Sequence, residues 1–279
     1  MRLTSIFPHQ KSHLPGRAVN LTFSLTYLTL LIIVPIGCLV SSIHQMPFSE
    51  IYRILSSERA LHAFKISFSL AFLAALVDLC LGVIIAWVLV KYEFFGKKFL
   101  DSIIDLPFAM PTAISGIALA TLYSEDGWIG KFAAIAELKI SYTAGGILIA
   151  LVFIGLPFVV RAVQPAIQAL DDEMEEAAAS LGASRGTIFR KIILPQLLPS
   201  MITGFTMSLA RGLGEYGSVI FIAGNIPLLT EILPLLIVIN LEQFDYQGAT
   251  TLATAMLSLS LVLLITLGVI GKQIRKRIS

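Results

Sequence analysis

The stretch EEAAASLGASRGTIFRKIILP, Glu175–Pro195, is a polar segment broken by glycine that lies between two long apolar runs. Acidic residues complement the dipole of a first helical turn, and the alanines that follow have the highest helix propensity. Gly182 is placed to end this helix in a left-handed conformation, and Ser184 is placed to cap a second short helix. Pro195 and Pro199 are then expected to set the approach to the next apolar run. The pattern predicts a helix, a turn and a second helix.

The surface of this predicted hairpin combines small and apolar side chains with charges around them. Such a surface is suited to docking against another protein. A solvated hairpin that only connects two apolar runs is the alternative, and composition alone leaves both interpretations open. The residues that we expect on the docking knob are Glu176, Ala177, Ala183, Arg185, Ile188, Phe189 and Arg190.

The apolar runs indicate what class of protein carries the hairpin. Of the 279 residues, 56% are hydrophobic and 14% are charged, whereas a typical soluble domain has about 25% charged residues. Six stretches are long enough to cross a hydrocarbon layer of about 30 Å. Backbone groups in lipid must be hydrogen-bonded within their own segment, so an all-α polytopic membrane protein is predicted. The predicted spans are Leu21–Ile43, Ile66–Val90, Asp101–Tyr123, Thr143–Val163, Ser200–Ala223 and Gly248–Gly271.

Lysine and arginine are distributed unevenly between the two sets of connecting segments. Fourteen of them fall in the N-terminal segment 1–20, the second loop, the loop 164–199 and the tail 272–279, against five on the opposite side. Arg211 lies inside the fifth span, and Arg161 is counted with the loop 164–199. The positive-inside rule therefore predicts that both termini and the hairpin lie in the cytoplasm. The inner membrane of a bacterium and the inner envelope of a plastid both fit this orientation.

Three local patterns that resemble ligand sites are incomplete. FGKKF, Phe95–Phe99, lacks the upstream glycine and the hydroxyl residue of a phosphate-binding loop. GLGEYG, Gly212–Gly217, lies inside a predicted span, where small residues allow close helix packing instead of dinucleotide binding. His9 and His13 have no third ligand nearby. We therefore expect no metal site, no nucleotide site and no cofactor bound by this chain, which is not predicted to be an enzyme.

The hairpin resembles one particular motif, the EAA motif of ABC-importer permeases. The matching positions are Glu176, Ala177, Ala178, Gly182, Ile192, Leu194 and Pro195. In that family the segment is a coupling helix that inserts into a cleft on a cytoplasmic ATPase subunit, and ATP and Mg²⁺ are bound by that partner. The resemblance implies that the residues in contact with the ATPase subunit are Glu176, Ala177, Ala178, Gly182, Ala183, Ser184, Arg185, Thr187, Phe189, Ile192, Leu194 and Pro195.

Two further stretches resemble the permeases of the sulfate/thiosulfate and molybdate importers, with the T-type sulfate subunit most similar. They are DLPFAMPTAISGIALATLYSEDGWIG, Asp105–Gly130, and RGLGEYGSVIFIAGNIPLLTEILPLLIVINLEQFDYQGA, Arg211–Ala249. The resemblance implies a type I transmembrane domain in lipid with a second, W-type permease, two ATP-binding subunits and a soluble sulfate/thiosulfate-binding protein. No nucleic-acid partner is expected. The alternatives are a homodimeric molybdate or tungstate permease and an ion-coupled secondary transporter.

Charged residues inside the spans are the candidates for the translocation path. Arg211 and Glu215 are four residues apart, so an internal salt bridge and a path-lining role are both open. Asp78 is expected to have a structural partner, either Arg211 or a hydroxyl of the third span. The segment Asn225–Gln247 predicts a re-entrant or interfacial helix that closes the external mouth.

Proline residues are expected to break the third span, where exposed backbone is tolerated only beside a cavity. The segment PTAISG that follows is therefore predicted to border the path or its gate. Taken with the charged pair, the candidate path residues are Pro107, Pro111, Thr112, Ser115, Arg211, Glu215, Tyr216 and Ser218.

Overall fold

The computed structural model describes residues 17–278, and every element in that range is helical. His9 and His13 lie outside the described residues. Two π-helical turns, Thr29–Ile33 and Phe189–Ile193, join α-helices into longer continuous rods. The helices in chain order are α1 (Arg17–Leu28), α2 (Val34–His44), α3 (Phe48–Leu55), α4 (Glu58–Lys91), α5 (Lys97–Ile104), α6 (Leu106–Ala109), α7 (Thr112–Tyr123), α8 (Trp128–Ile135), α9 (Ala144–Gln168), α10 (Asp172–Ser180), α11 (Arg185–Ile188), α12 (Leu194–Leu213), α13 (Val219–Ile222), α14 (Leu233–Glu242) and α15 (Tyr246–Ile278).

Long apolar helices dominate the described part of the chain, which confirms the all-α polytopic fold class. Within residues 17–278, five helical stretches are long and apolar enough to cross a membrane. Four of them contain or closely overlap predicted spans one, two, four and six, and the other overlaps the fifth. The stretches are Val19–His44, Glu58–Lys91, Ala144–Gln168, Arg185–Leu213 and Tyr246–Ile274.

The N-terminal unit, which ends at Phe48, contains α1, the π-helical turn and α2. Pro35 lies in the first turn of α2, directly after the π-helical turn. A proline has no N–H to donate, and a wider turn ahead of it is one way to keep a helix continuous. This unit supplies the apolar stretch Val19–His44.

The third predicted span, Asp101–Tyr123, consists of three short helices, α5, α6 and α7. Pro107 lies in the first turn of α6, and Met110 and Pro111 have extended backbone before α7 begins. A residue that precedes proline is disfavoured in the helical conformation, which accounts for the extended backbone of Met110. The break that the sequence predicts at Pro107 and Pro111 is therefore present, and it divides the span into short helices.

The fifth predicted span differs from the observed helix at both ends. The prediction of a separate, short second hairpin helix is wrong, because the chain is helical without interruption from Arg185 to Leu213. The π-helical turn Phe189–Ile193 directly precedes Pro195 and gives the chain room for a residue without an N–H. Pro199 lies inside the same helix. The helix then ends at Leu213, ten residues before the predicted end at Ala223.

Small residues line the contacts among α4, α9 and α12 in the second unit, which begins at Ser49. A Cβ on Gly82 of α4 would lie 2.7 Å from Val159 Cγ1 of α9, and a Cβ on Gly204 of α12 would lie 2.9 Å from Val159 Cα. Small residues let helix backbones approach closely in a membrane. These three helices therefore form a tight frame that holds the shorter elements.

Asp78 is fully buried inside this frame, and its partner is not one of those expected. Its Oδ2 accepts a hydrogen bond of 2.6 Å from Ser208 Oγ of α12, and Gly155 of α9 packs against the same carboxylate. The prediction of a structural partner is confirmed. The choice of Arg211 or a hydroxyl of the third span is wrong, because α12, rather than α7, carries the hydroxyl that faces α4.

The segment between the last two long helices contains α14, as the apolar run Asn225–Gln247 predicts. Leu233 and Leu236 are buried in a cluster with Ala60 of α4 and Leu252 of α15. The start of α14 is also fixed by a hydrogen bond of 2.7 Å from the Leu233 N–H to Ser67 Oγ. The helix is thus packed into the second unit at the end of the bundle where α4 begins.

Candidate functional site

The turn of the hairpin forms as its local sequence predicts. The helix α10 ends in a Schellman motif, in which the Gly182 N–H donates to Ala179 O at 2.9 Å and the Ala183 N–H donates to Ala178 O at 3.0 Å. Gly182 has a φ of +83°, which is the left-handed conformation that glycine adopts most easily. Ser184 Oγ accepts a hydrogen bond from the Thr187 N–H at 3.3 Å and caps α11.

The residues expected to contact an ATPase subunit divide into an outward set and an inward set. Ile188 is only 9% exposed and packs against the bundle, so its expected place on the docking knob is wrong. The exposed residues of the set are Glu176, Ala177, Gly182, Ser184, Arg185, Thr187 and Phe189. Ala178, Ala183, Ile192, Leu194 and Pro195 are half-buried.

Leu181 lies at the apex of the hairpin and has 90% of its surface exposed. The sequence reasoning did not single it out. Its position directly before Gly182 could have identified it, because the turn points the residue before the glycine away from both helices. Leu181 adds an apolar tip to the outward set.

The hairpin is held to the end of α4 by a few side-chain contacts. Lys91 Nζ lies 2.7 Å from Asp172 Oδ1 at the start of α10. The rings of Trp87 and Phe189 meet edge to face with centroids 6.4 Å apart, and Lys91 Nζ lies 5.9 Å from the centre of the Trp87 ring. We call this end of the bundle the hairpin end.

At the other end of α12, Arg211 and Glu215 form the salt bridge that their spacing predicts. Arg211 Nη1 lies 2.6 Å from Glu215 Oε2, with the Arg211 side chain about a third exposed and that of Glu215 at 2%. Glu215 Oε1 also accepts hydrogen bonds from the Ser218 N–H at 2.7 Å and from Ser218 Oγ at 2.9 Å. One carboxylate therefore neutralises Arg211 and closes the turn after α12.

The turn 214–218 packs directly against the first turns of α7. A Cβ on Gly116 would overlap the carbonyl oxygen of Ser218, and a Cβ on Gly217 would overlap the side chain of Thr112. The structure thus brings together two candidate path stretches that are about a hundred residues apart in sequence. Only backbones without side chains at these two glycines can approach so closely.

The remaining candidate path residues differ in burial, and one of them lies outside this contact. Ser115 is buried, with its Oγ 3.4 Å from Pro111 O, and Tyr216 is half-buried. Pro111 is exposed at the start of α7. Pro107 is half-buried in α6, one short helix earlier, and lies outside the contact between α7 and the turn.

Two arginine sites were missed by the sequence reasoning. Arg161 does not lie in a loop, because α9 continues to Gln168, and it binds Asp101 and Asp105. Arg59 at the start of α4 binds Glu231, which is 1% exposed, through two hydrogen bonds of 2.7 and 2.6 Å. Asp101 and Asp105 lie four residues apart and so can face the same side of a helix. That spacing could have indicated that both bind one cationic side chain. Among residues 17–278, no group of three or more His, Cys, Asp or Glu side chains suits a metal ion.

The long apolar helices define this chain as an integral membrane protein. Residues 78–279 match the family described as binding-protein-dependent transport system inner membrane component. The chain belongs to that family.

Several relatives have the same kind of name and align over most of this chain. The sulfate transport system permease protein CysT of Salmonella typhimurium is 40% identical over 265 residues, which cover 95% of this chain and 96% of that protein. CysT of Synechococcus elongatus is 46% identical, covering 87% of each chain. A probable sulfate transport system permease protein of Nephroselmis olivacea is 43% identical, covering 94% and 93%.

Solved structures of lower identity share the fold. A chain of a bacterial ABC transporter involved in the import of the acidic polysaccharide alginate has a TM-score of 0.74 at 16% identity, covering 92% of this chain and 94% of that one. A chain of the methionine transporter MetNI, in an inward-facing conformation, has a TM-score of 0.54 at 19% identity, covering 78% and 95%. The fold is therefore that of ABC-importer permeases.

Proposed function

We propose that this chain is a transmembrane permease subunit of an ATP-driven sulfate/thiosulfate importer. The observation that carries the proposal is the hairpin, a well-capped helical turn with an exposed apolar tip at one end of a membrane bundle. A transporter driven by ions has no use for such an element. The names of the relatives that align over most of the chain support sulfate as the transported class.

The outward face of the hairpin docks on an ATP-binding subunit in the cytoplasm. Leu181 enters an apolar cleft of that subunit, and the half-buried residues Ala178, Ala183 and Ile192 hold the hairpin to its own bundle. Two ATP-binding subunits bind ATP and Mg²⁺, and this chain supplies neither a nucleotide site nor a cofactor. ATP binding draws two such hairpins together and changes the access of the path from one side to the other.

The contact between α7 and the turn 214–218 borders the translocation path. Arg211 is about a third exposed and shares its charge with Glu215, so it tempers the repulsion of a dianion by the membrane interior without binding it tightly. A second, W-type permease completes the path. The segment that contains α14 closes the outer mouth and meets the soluble binding protein.

The proposed orientation places both termini in the cytoplasm of a bacterium, with the chain in the inner membrane. If the chain lies in a plastid inner envelope instead, the same orientation places both termini on the side where ATP is made. The orientation can be tested by introducing a cysteine at Leu181 or at Trp128 and labelling sealed vesicles from each side. The cysteine at position 181 is expected to react only from the side that contains ATP.

The test of the function is co-purification followed by transport. The tagged chain, extracted from its own membranes, is expected to bring down an ATPase subunit and a second, distinct permease. The complex in vesicles, supplied with its binding protein and ATP, is then expected to take up labelled sulfate, with thiosulfate as a competitor. Purification as a pair of identical permeases that imports molybdate instead of sulfate would refute the proposal.

A further inference from the structure

All five N–H donors of the Arg161 guanidinium are occupied, although the side chain is about a third exposed. Nε and Nη2 bind the two carboxylate oxygens of Asp105 at 2.8 and 2.6 Å. Nη1 binds Asp101 Oδ1 and Gln164 Oε1, both at 2.6 Å, and Nη2 also binds Asp101 O at 2.8 Å. We call Arg161, Gln164, Asp101 and Asp105 the Arg161 clamp.

The clamp joins elements that have separate roles. Arg161 and Gln164 lie on α9, about two turns before α9 ends and the hairpin follows. Asp101 lies on α5, and Asp105 lies between α5 and α6. The rings of Phe108 on α6 and Phe158 on α9 meet edge to face at 5.0 Å, so an aromatic contact lies beside the polar one.

An arginine in a protein that moves an anion suggests an anion ligand, but the geometry of the clamp argues against that role. No N–H of Arg161 remains to bind a sulfate oxygen. The clamp also holds two carboxylates against one guanidinium, so it repels a dianion. Because the group is partly exposed, solvent screening limits its contribution to stability. The two-pronged contact with Asp105 instead fixes the orientation of α5 and α6 on α9.

The elements on either side of the clamp lead to the hairpin and to the candidate path. Toward the hairpin, α9 ends at Gln168 and α10 begins at Asp172. Toward the path, α6 leads through extended backbone at Met110 and Pro111 into α7, which packs on the turn 214–218. The clamp therefore gives a displacement of α9 a second route to α7, in addition to the direct packing of α7 on α9.

We propose that Arg161 is a positioning residue for transport, which makes α5, α6 and α9 one rigid body and so passes hairpin movement to the path. The proposal rests on the proposed function, because it needs an ATP-driven hairpin. The clamp stays closed through the cycle.

The first test measures transport per ATP hydrolysed in the complete importer reconstituted in vesicles. Asp105→Asn and Arg161→Lys each remove the two-pronged contact while preserving side-chain size or charge. The matched control is Glu93→Gln, which breaks the exposed Lys97–Glu93 ion pair at the start of α5 without changing a residue that acts on the clamp. We expect both clamp variants to assemble and hydrolyse ATP at the basal rate, with sulfate uptake per ATP reduced about fivefold or more. The control is expected to match the wild type.

The second test is independent of the transported anion. Spin labels at Ser102 on α5 and Gln168 on α9, both exposed, report whether the two helices move together, after the free Cys38 and Cys80 have been replaced by serine. We expect one narrow distance distribution in the resting and ATP-bound wild type. In Asp105→Asn the distribution is expected to broaden or to shift between the two states.

The two tests separate the possible failures. A distance that changes on ATP binding in the wild type overturns the rigid clamp. Variants that keep normal uptake per ATP, or that lose uptake only in proportion to the amount of assembled complex, overturn the positioning role. If the wild-type complex hydrolyses ATP but imports no sulfate, the proposed substrate fails, and the label distances still decide the clamp.

Discussion

Replacing Gly182 by alanine tests whether the backbone of the hairpin turn matters for docking. With φ at +83°, an alanine there is strained by about 1–2 kcal/mol. No atom lies within 4 Å of the position that its Cβ would take, so the strain comes from the backbone and not from a clash. Gly186 is the matched control, since its Cβ would also meet open space but it lies in helical α11. Alanine there is expected to favour the helix by about 1 kcal/mol.

How much Gly182→Ala weakens docking depends on the contacts that hold the hairpin to the bundle. Its direct contacts with α4 are the ion pairs of Lys91 with Asp172 and Glu175, one aromatic pair, and buried or partly buried apolar side chains. A strain of 1–2 kcal/mol lowers the ratio of correctly folded to distorted turns about 5- to 30-fold. The apparent affinity for the ATPase subunit falls in proportion to the fraction of hairpins that are folded correctly. The largest expected loss of affinity is therefore also about 5- to 30-fold.

The assay is a titration of the purified ATPase subunit onto the permease complex in lipid nanodiscs, with hydrogen exchange of the hairpin amides measured in parallel. For Gly182→Ala we expect weaker binding and faster exchange at Ala183, whose N–H closes the Schellman motif. For Gly186→Ala we expect binding equal to the wild type or tighter. Equal weakening by both variants would refute the backbone argument, since it would indicate a surface contact shared by the two glycines.

Three other substitutions test separate parts of the structure. Leu181→Ser is expected to weaken binding of the ATPase subunit about tenfold without changing the unfolding temperature, because the side chain is exposed. Glu231→Gln leaves Arg59 without its charged partner and is expected to lower the free energy of unfolding by about 1–2 kcal/mol, less than for a fully buried pair, as measured by thermal unfolding in detergent. Gly116→Ala pushes α7 away from Ser218 and is expected to cost about 1–3 kcal/mol and to reduce uptake at unchanged basal ATP hydrolysis.

Each of these predictions has a control in the same chain. Met174→Ser removes another exposed apolar side chain from α10, away from the apex, and is expected to bind normally. Glu50→Gln breaks an exposed ion pair with Arg53 and is expected to leave thermal unfolding unchanged. For α7, the control is Ala118→Ser, at an exposed position of the same helix. A control that behaves like its partner variant would contradict the mechanism assigned to that residue.

The turn of the hairpin was predictable because its determinants are local. A left-handed glycine and a serine cap act within four residues of their partners, so Gly182 and Ser184 indicate the turn without any knowledge of the rest of the fold. The direction in which the hairpin packs is not local. Ile188 faces the bundle because α4 and α9 present an apolar surface there, and no pattern inside the hairpin distinguishes that side from the other.

The arginine pairs could not be predicted from local sequence, because their partners are far apart in the chain. Arg161 and Asp105 are 56 residues apart, and Arg59 and Glu231 are 172 residues apart. Such pairs depend on which helix ends meet in space. The continuity of the helix through Pro195 was also missed, because proline is normally a boundary signal and the π-helical turn that accommodates it has no clear sequence pattern.

The unbroken helix from Arg185 to Leu213 connects the hairpin with the far end of the bundle. Its 29 residues correspond to a rod of about 44 Å, with the second arm of the hairpin at one end and Arg211 near the other. A rod of that length that pivots by about 5° at its hairpin end sweeps its far end through roughly 4 Å. A chain broken at Pro195 would absorb the same rotation in a flexible joint. If the hairpin moves during transport, the continuous helix through Pro195 would turn a small movement at the membrane surface into a displacement of about the size of an ion near Arg211.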